Sequence, residues 1–371
     1  MDNYNTYTQN AMTYPPVRKK SKVGIVILVS ILLVVVGGLM AFVSAIQGGV
    51  NSVIFDHGPK VVLNSEDERD IQIDEQFEKF DSIDLNVDYA AVTLVKGNEF
   101  SVKGNVSSGN NHRKIAVDAG KLIVEISRNE GFSLFSFDFG FFHSGHDEKI
   151  IVTYNPEMLE SGALEDVQIQ ANLGDLTIDD LNCKSLTADV DTGKSTISNV
   201  VASGKIAIEN NLGNANVSNI TCSDLLLDVD TGSAELADAD IKEHGKIDAN
   251  LGSIKLSDIQ YGKLEVDADT GDVTAANMVG GKLTGDLNLG DYNAKGVCKG
   301  SFNISIDTGS ATFDISERAD DIAYDLTTDL GEIKINNNKM GTTHQSGQNN
   351  ASIDLKIETD LGDITINTAR S

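Results

Sequence analysis

The chain has 371 residues, of which 40% are hydrophobic and 6% aromatic, with 34 Gly, 4 Pro and no Trp. This profile argues against a helical bundle and is typical of a repetitive β-structure with many tight turns. The formal net charge of −27 argues against nucleic acid as a partner, because phosphate binding requires clustered Lys and Arg.

The first 46 residues predict a membrane anchor. A polar tail over 1–22, predicted to be disordered, carries one acid and ends in four basic residues: Arg18, Lys19, Lys20 and Lys22. The uncharged stretch 23–46 follows. As a helix it would span about 36 Å, enough for a hydrocarbon core of about 30 Å. The positive-inside rule then predicts one transmembrane helix in the cell membrane, with a cytoplasmic N-terminus and an extracellular C-terminal part.

A cleaved signal peptide is the alternative for this segment, since Val43, Ser44 and Ala45 offer small residues for a signal peptidase. The apolar run is longer than an ordinary signal peptide has, which favours the anchor. Residues 47–74 then form a juxtamembrane linker.

Residues 75–165 predict an irregular N-terminal β-region that caps the following repeats. Apolar and polar residues alternate from Phe80 to Leu94, and the pairs Gly97-Asn98 and Gly104-Asn105 supply turns. A cap is expected because a bare sheet end is an open edge that invites aggregation.

Residues 166–371 contain a repeat that decides the fold class. Glycine recurs every 19 or 20 residues, at 174, 193, 213, 232, 252, 271, 290 and 309. It is preceded alternately by Asn-Leu and Asp-Thr, and two degenerate Asp-Leu-Gly copies end at 331 and 362. Apolar residues alternate with polar ones in each half, as in Leu176 and Ile178. This pattern predicts an all-β fold, a β-solenoid (β-helix), with a C-terminal cap and a loop at 337–352.

The repeat allows two arrangements. One half of 19–20 residues can form each rung, or both halves can form one 39-residue turn. The shorter rung is favoured because it needs no long unstructured segments.

The cores Gly-Asp-Leu-Thr-Ile (174–178) and Gly-Asp-Ile-Thr-Ile (362–366), the repeat and the single anchor resemble the bacterial β-strand-repeat "putative adhesin" family of cell-envelope proteins. The resemblance covers roughly 75–370 and implies surface binding, with no defined ligand or site residues.

Asp-Thr-Gly is the signature of aspartic proteases, in which two such loops face each other so that two carboxylates share a proton. Here it occurs four times at one repeat position, ending at Gly193, Gly232, Gly271 and Gly309, which favours a structural turn. Asn and Asp should then alternate in one ladder. A calcium ladder is the alternative, although no calcium-binding nonapeptide is present.

Cys183, Cys222 and Cys298 follow their glycines by 9, 9 and 8 residues and should form one ladder with Tyr261. Cys183 and Cys222 would be about 9.6 Å apart, too far for a disulfide, so free packed thiols are expected. His143 and His146 could ligate zinc, but further spaced ligands are lacking. No catalytic, cofactor-binding or metal residues are assigned.

Residues 132–142 contain six of the 13 Phe residues. They could plug the first rung of the solenoid, or form an exposed contact with a membrane or a partner protein. The candidate contact residues are Phe135, Phe137, Phe139, Phe141 and Phe142.

These features favour a non-catalytic, membrane-anchored surface protein, an adhesin or binding scaffold. It would contact the lipid bilayer through 23–46 and an unknown envelope or membrane protein. One alternative is an accessory or sensor component of a cell-envelope stress-response system. The other is an unrecognised cell-wall hydrolase.

Overall fold

The computed structural model describes residues 52–55, 59–62, 70–107, 112–127, 148–347 and 351–369. Within them, no helix is long and apolar enough to cross a bilayer. The predicted membrane helix at 23–46 lies outside the described residues.

The described residues form β-strands and two single-turn 3₁₀ helices, Pro156–Met158 and Ala319–Asp321. The strands of the N-terminal part are β1 (Ser52–Phe55), β2 (Pro59–Val62), β3 (Asp70–Phe77), β4 (Ser82–Val87), β5 (Ala91–Lys96), β6 (Phe100–Ser107), β7 (His112–Asp118), β8 (Lys121–Ser127) and β9 (Lys149–Tyr154). Those of the repeats are β10 (Leu164–Leu173), β11 (Leu176–Thr192), β12 (Ser195–Ala202), β13 (Lys205–Leu212), β14 (Ala215–Thr231), β15 (Ala234–Leu251), β16 (Ile254–Thr270), β17 (Val273–Leu289), β18 (Tyr292–Thr308) and β19 (Ala311–Arg318). The C-terminal strands are β20 (Ile322–Leu330), β21 (Ile333–Ile335), β22 (Asn338–Gly341), β23 (Thr343–Ser346), β24 (Ile353–Leu361) and β25 (Ile364–Ala369).

The chain divides into two compact units, 1–66 with 131–144 and 67–130 with 145–371. Of the first unit, the structure describes the antiparallel hairpin of β1 and β2. All other described strands belong to the second unit and form one continuous sheet.

The repeats stack in parallel, and each 19–20-residue half is one rung. Leu176 pairs with Ser195, which pairs with Ala215, which pairs with Ala234, and the same step continues through Ile254. A 39-residue turn would instead pair residues two halves apart, so the register excludes it.

Each rung bends three times. In the first rung, inward-facing residues alternate until Asp180, whose φ of 55° lies in the left-handed region. Alternation resumes at Leu181 and is interrupted again at Lys184. The third bend is the glycine corner, at Gly174 and its equivalents. The bends turn the strand segments so that their apolar faces enclose one core.

The glycine corner requires glycine for two reasons. Corner glycines from 174 to 309, together with Gly362, have φ between 144° and 156°, a conformation that L side chains rarely adopt. From Gly193 onward in that series, an added Cβ would lie 1.6–2.2 Å from the carbonyl oxygen of the corner glycine on the neighbouring rung. Backbone therefore stacks directly on backbone at this corner.

The core is filled by compensation between neighbouring rungs. Gly245 stands where other rungs carry Leu225 and Leu264, and a Cβ on it would meet Leu264 Cδ1 at 2.7 Å and Ile241 Cδ1 at 3.1 Å. Gly280 likewise leaves room for the ring of Tyr261. At these two positions a small residue thus makes room for a large neighbour, as close packing requires.

The three cysteines are free and buried, as expected, but they do not form one ladder. Cys222 shares its ladder with Tyr261 through Ile241, whereas Cys298 pairs with Met278 in the adjacent ladder. The reason is an extra residue at the Asp180-type bend, where Gly296 and Val297 oppose the single Asn277. The bulge shifts Cys298 and Lys299 by one position, and the register is restored where Gly280 and Gly281 oppose the single Gly300.

The N-terminal end adds two parallel rungs and then reverses strand direction. Strands β4 and β5 pair with β10 and β11, and β8 and β9 form the rung beyond them. Beyond this rung the pairing is antiparallel: β7 pairs with β8, β6 pairs with β9, and β3 pairs with β6. Phe80 and Phe100 are buried here, with ring centroids 4.8 Å apart.

The C-terminal end departs from chain order. The last strands, β24 and β25, insert between the rung of β18 and β19 and the rung of β20 and β21. The segment predicted as a loop at 337–352 contains β22 and β23, which pair antiparallel with β21 and β20. That prediction was wrong because its polar residues face solvent at a sheet edge, where strands need no apolar alternation.

Replacing Gly252 by Ala should lower the free energy of unfolding by several kcal/mol, because its Cβ would lie 1.6 Å from Gly232 O. Gly341→Ala is the matched control, with φ of 86° but no atom within 4 Å of an added Cβ. It should cost only about 1 kcal/mol. Urea unfolding measures both, and equal costs would show that φ alone, not rung contact, requires glycine.

Candidate binding surface along the glycine corner

The two residues before each corner glycine form a continuous exposed surface, here called the corner ladder. Its outer positions pair in register from rung to rung in the order Leu173, Thr192, Leu212, Thr231, Leu251, Thr270, Leu289, Thr308, Leu361 and Leu330. The leucines are 41–69% exposed. Up to Leu289 they recur on every second rung, about 9.6 Å apart.

The Asn and Asp residues of the corner ladder are hydrogen-bonded across rungs. Asn211 Nδ2 donates to Asp191 Oδ1 at 2.7 Å, and Asn250 and Asn288 donate to Asp230 and Asp269 at 2.6 Å. The predicted alternation of amide and carboxylate is therefore confirmed for these rungs. Each carboxylate receives a donor, and an amide separates it from the next carboxylate.

Side chains after the glycine hold the rungs together from the other side. Asp175 Oδ1 accepts a hydrogen bond from the backbone N–H of Lys194 at 2.8 Å, and Asp272 Oδ1 accepts one from Asp291 N at 2.9 Å. Asn214 and Asp291 serve the next rung in the same way. This role explains the polar residue after glycine in the repeat, because a corner N–H needs an acceptor.

The alternation of Asn and Asp fails at the C-terminal end. Asp307, Asp360 and Asp329 occupy successive rungs without an intervening Asn, because both degenerate copies of the repeat carry Asp. The insertion of β24 decides only that Asp360, and not Asp329, lies beside Asp307.

A second ladder, here called the acidic ladder, runs two residues before the Asn and Asp positions on the same outward face. Six acids pair in register on successive rungs: Asp189, Glu209, Asp228, Asp248, Asp267 and Asp286. Lys246 Nζ lies 2.9 Å from Asp248 Oδ2 and 3.6 Å from Asp267 Oδ2.

Burial and neighbouring charges raise the pKa of three carboxyl groups in the acidic ladder. Partial burial, and then the neighbouring carboxylates, raise the pKa of Asp189 and of Asp228. The pKa of Asp267 is also raised, chiefly by burial, although Lys246 opposes the shift. Sequence reasoning did not identify this ladder, although an acid stands three residues before each Thr or Leu of the corner ladder from Asp189 to Asp286.

Sequence reasoning also missed a third ladder, which is polar and lies at the bend formed by Asp180 and its equivalents. Its members have φ between 50° and 57°: Asp180, Asn199, Asn219, Asp238, Asp258 and Asn277. Asn219 Nδ2 donates to Asn199 Oδ1 at 2.6 Å, and Asn277 Nδ2 donates to Asp258 Oδ1 at 2.8 Å. The signal was present as Asn or Asp six residues after each corner glycine from 174 to 271, the residue types that tolerate left-handed backbone.

The four Asp-Thr-Gly motifs do not form a protease-like pair among the described residues. Asp191 and Asp230 lie two rungs apart with Asn211 between them, whereas a protease dyad needs two carboxylates in contact.

The cysteines are poor nucleophiles, since burial raises the pKa of each thiol to about 12. Phe135, Phe137, Phe139, Phe141 and Phe142, and also His143 and His146, lie outside the described residues, between β8 and β9.

A shallow cleft of about 450 Å³ is lined by Lys96, Pro156 and Asp180, among others. Lys96 Nζ lies 3.3 Å from Asp180 Oδ2, so these two oppositely charged side chains of the cleft form an ion pair with each other. Nearby, the Tyr154 hydroxyl donates to Asp180 O at 3.0 Å and accepts from Asn182 N at 2.9 Å. The cleft thus contains a junction between cap and repeats.

The chain belongs to the Toastrack DUF4097 family, whose profile matches residues 80–367. The predicted resemblance to an adhesin-like β-repeat family is thereby confirmed. No curated protein shows significant sequence similarity to the chain.

Among the solved structures that match the chain are three bacterial proteins. A "putative adhesin" from Bacteroides fragilis NCTC 9343 is 14% identical, with 81% of this chain and 97% of that chain covered and a TM-score of 0.33. A "putative adhesin" from Parabacteroides merdae ATCC 43184 is 11% identical, with 82% and 98% covered and a TM-score of 0.34. A "putative cell adhesion protein" from Clostridium sporogenes ATCC 15579 is 12% identical, with 81% and 100% covered and a TM-score of 0.19.

We expect the contribution of the acidic ladder to the free energy of unfolding to rise as the pH falls from 7 toward about 4.5. A carboxyl whose folded-state pKa is raised stabilises the fold below its unfolded pKa of about 3.9, and this contribution is lost as pH rises through the folded-state value. Asp189→Asn with Asp228→Asn should therefore raise the free energy of unfolding at pH 7 by about 0.5–1 kcal/mol after solvent screening.

Urea unfolding at pH 7 and pH 4.5 measures this effect, and the gain should shrink at the lower pH. Asp118→Asn, on an exposed residue outside the ladder, is the control and should change little. A gain of the same size at both pH values would show that charge crowding is not its cause.

Proposed function

We propose that the protein is a non-catalytic binding scaffold, anchored in the cell membrane by residues 23–46 and displayed outside the cell. The corner ladder carries this proposal. It presents exposed leucines on every second rung from Leu173 to Leu289, and aliphatic side chains exposed in a regular row are typical of contact surfaces.

Hydrogen bonds between rungs also support a binding role, because they hold the corner ladder in a fixed arrangement. Side-chain hydrogen bonds between rungs hold the corner ladder on both sides of the leucines. A preorganised surface loses little conformational entropy when it binds. The ladder would thus contact a partner of the cell envelope or of another cell through several equivalent sites.

The anchor can be tested by labelling single introduced cysteines with a membrane-impermeant maleimide on intact cells. The native thiols are buried and their pKa is raised to about 12, so they should not react and need not be removed. Thr270→Cys, on the exposed corner ladder, should be labelled on intact cells. Thr6→Cys should be labelled only after lysis.

Labelling of Thr6→Cys on intact cells, or protection of Thr270→Cys, would contradict the topology. Loss of the tail from the mature protein, detected by N-terminal sequencing, would instead favour the cleaved signal peptide.

The corner ladder can be tested by changing Leu212, Leu251 and Leu289 together to Ser in the full-length protein. Cells that produce the parent protein should co-sediment with envelope fragments of the same strain. The triple variant should lose this co-sedimentation, since burying each leucine contributes about 1–2 kcal/mol and losing all three lowers the affinity by roughly a hundredfold or more. The side chains are about half exposed, so the melting temperature should not fall.

The matched control changes Val201 and Val279, which are 52% and 37% exposed but lie on another face, to Ser. It should leave co-sedimentation unchanged. An equal loss in both variants, or none in either, would contradict a specific role of the corner ladder.

A further inference from the structure

One bend of the solenoid brings a histidine and two carboxylates together. His244 in β15 pairs in register with Asp224 of the preceding rung, and His244 Nδ1 lies 3.5 Å from Asp224 Oδ1. Glu243 precedes His244 in the chain. One ligand atom from each of the three side chains can be chosen so that all lie within 4.8 Å of one another.

An extra residue creates this arrangement. Two residues, Lys242 and Glu243, separate Ile241 from His244, whereas single residues occupy this bend in the rungs on either side. Bulges re-aim side chains and are common beside functional sites. Two rungs earlier, the same bend also has two residues, Ser203 and Gly204, so the bulge itself does not require ligand-type side chains.

Three of the lysines around the bend are engaged by other carboxylates, whereas Lys205 pairs in register with Asp224. Lys242 pairs with Asp240, Lys263 pairs with Glu265, and Lys246 pairs with Asp248. These three lysines thus form their ion pairs with carboxylates other than Asp224 and Glu243, and the chain carries a net charge of −27. Such a negative charge attracts cations.

We propose that Asp224, Glu243 and His244 bind one divalent transition-metal ion. One imidazole nitrogen and two carboxylate oxygens form a ligand set that suits zinc. Ligand atoms of a tetrahedral zinc ion lie about 3.4 Å apart, given bond lengths of about 2.0–2.2 Å. The His244 and Asp224 side chains are 66% and 42% exposed, so rotation can bring the ligand atoms together.

Such a site would have an open coordination position. Three protein ligands leave the fourth position of a tetrahedral ion to water or to an oxygen of another molecule. On a solvent-facing bend, the ion would add a point of contact for an anionic group to a surface that is otherwise acidic.

Zinc binding to the full-length protein in mild detergent tests the proposal by isothermal titration calorimetry. All proteins carry His143→Ala and His146→Ala, which removes the other histidine pair noted in the sequence. This parent should bind one zinc ion per chain, and zinc should raise its melting temperature. His244→Ala and Glu243→Gln should each lower the affinity by roughly tenfold or more and weaken the thermal shift.

The matched control is His112→Ala, since His112 Nε2 lies 3.3 Å from Glu125 Oε2 in a pair to which no third ligand is assigned. It should leave zinc binding unchanged. Absence of zinc binding by the parent, or an affinity that His244→Ala leaves unchanged, overturns the proposal. Loss with His244→Ala but not with Glu243→Gln overturns the three-ligand site. Circular dichroism without zinc verifies that the variants are folded.

Discussion

The contact between successive corner glycines is the constraint on which the rest of this structure depends. A Cβ at these positions would lie within 1.6–2.2 Å of the carbonyl oxygen of the neighbouring rung from Gly193 onward, so the two backbones approach more closely than any other residue permits. A fixed corner sets the register of each strand on the next, because a slip by one residue would place a side chain in this contact and turn the apolar face outward. Every rung from β11 to β19 obeys this register.

A fixed register places chemically equivalent residues directly above one another, which is favourable or costly depending on their type. Apolar positions form a continuous core. Asn and Asp in alternation form hydrogen-bonded ladders, as Asn211 and Asp191 do at 2.7 Å. Six consecutive acids have no such solution, and partial burial, followed by the neighbouring carboxylates, raises the pKa of Asp189 and of Asp228. A surface that costs stability in this way is not explained by folding alone, and it lies beside the exposed leucines that we assign to binding.

At both ends of the stack, antiparallel strands cover the outer rung and so protect the open edge of the sheet. The inner and outer rungs, however, come in opposite order along the chain at the two ends. At the N-terminal end the inner rung, β4 and β5, comes first in the chain, and the outer rung, β8 and β9, follows it. At the C-terminal end the outer rung, β20 and β21, is made first and β24 and β25 insert inside it. In both cases the strands that lie between these two rungs in the chain pair antiparallel with the outer rung and cover it. Their polar residues suit an edge that must not pair with another chain.

The sequence by itself determined the fold class, the glycine corner and the alternation of Asn with Asp, because each is a local pattern repeated many times. It favoured the 19–20-residue rung, but the strand register was needed to exclude the 39-residue turn. The sequence also predicted free thiols, since two rungs separate Cys183 from Cys222. Other features needed the tertiary structure. The shift of Cys298, the adjacency of Asp307 and Asp360, and the meeting of Asp224 with His244 depend on a single extra residue or on strand insertion. A bulge changes register without leaving a clear sequence signal, and insertion out of chain order depends on which free edge a strand meets. Those choices are made by packing between distant segments, which no local pattern records.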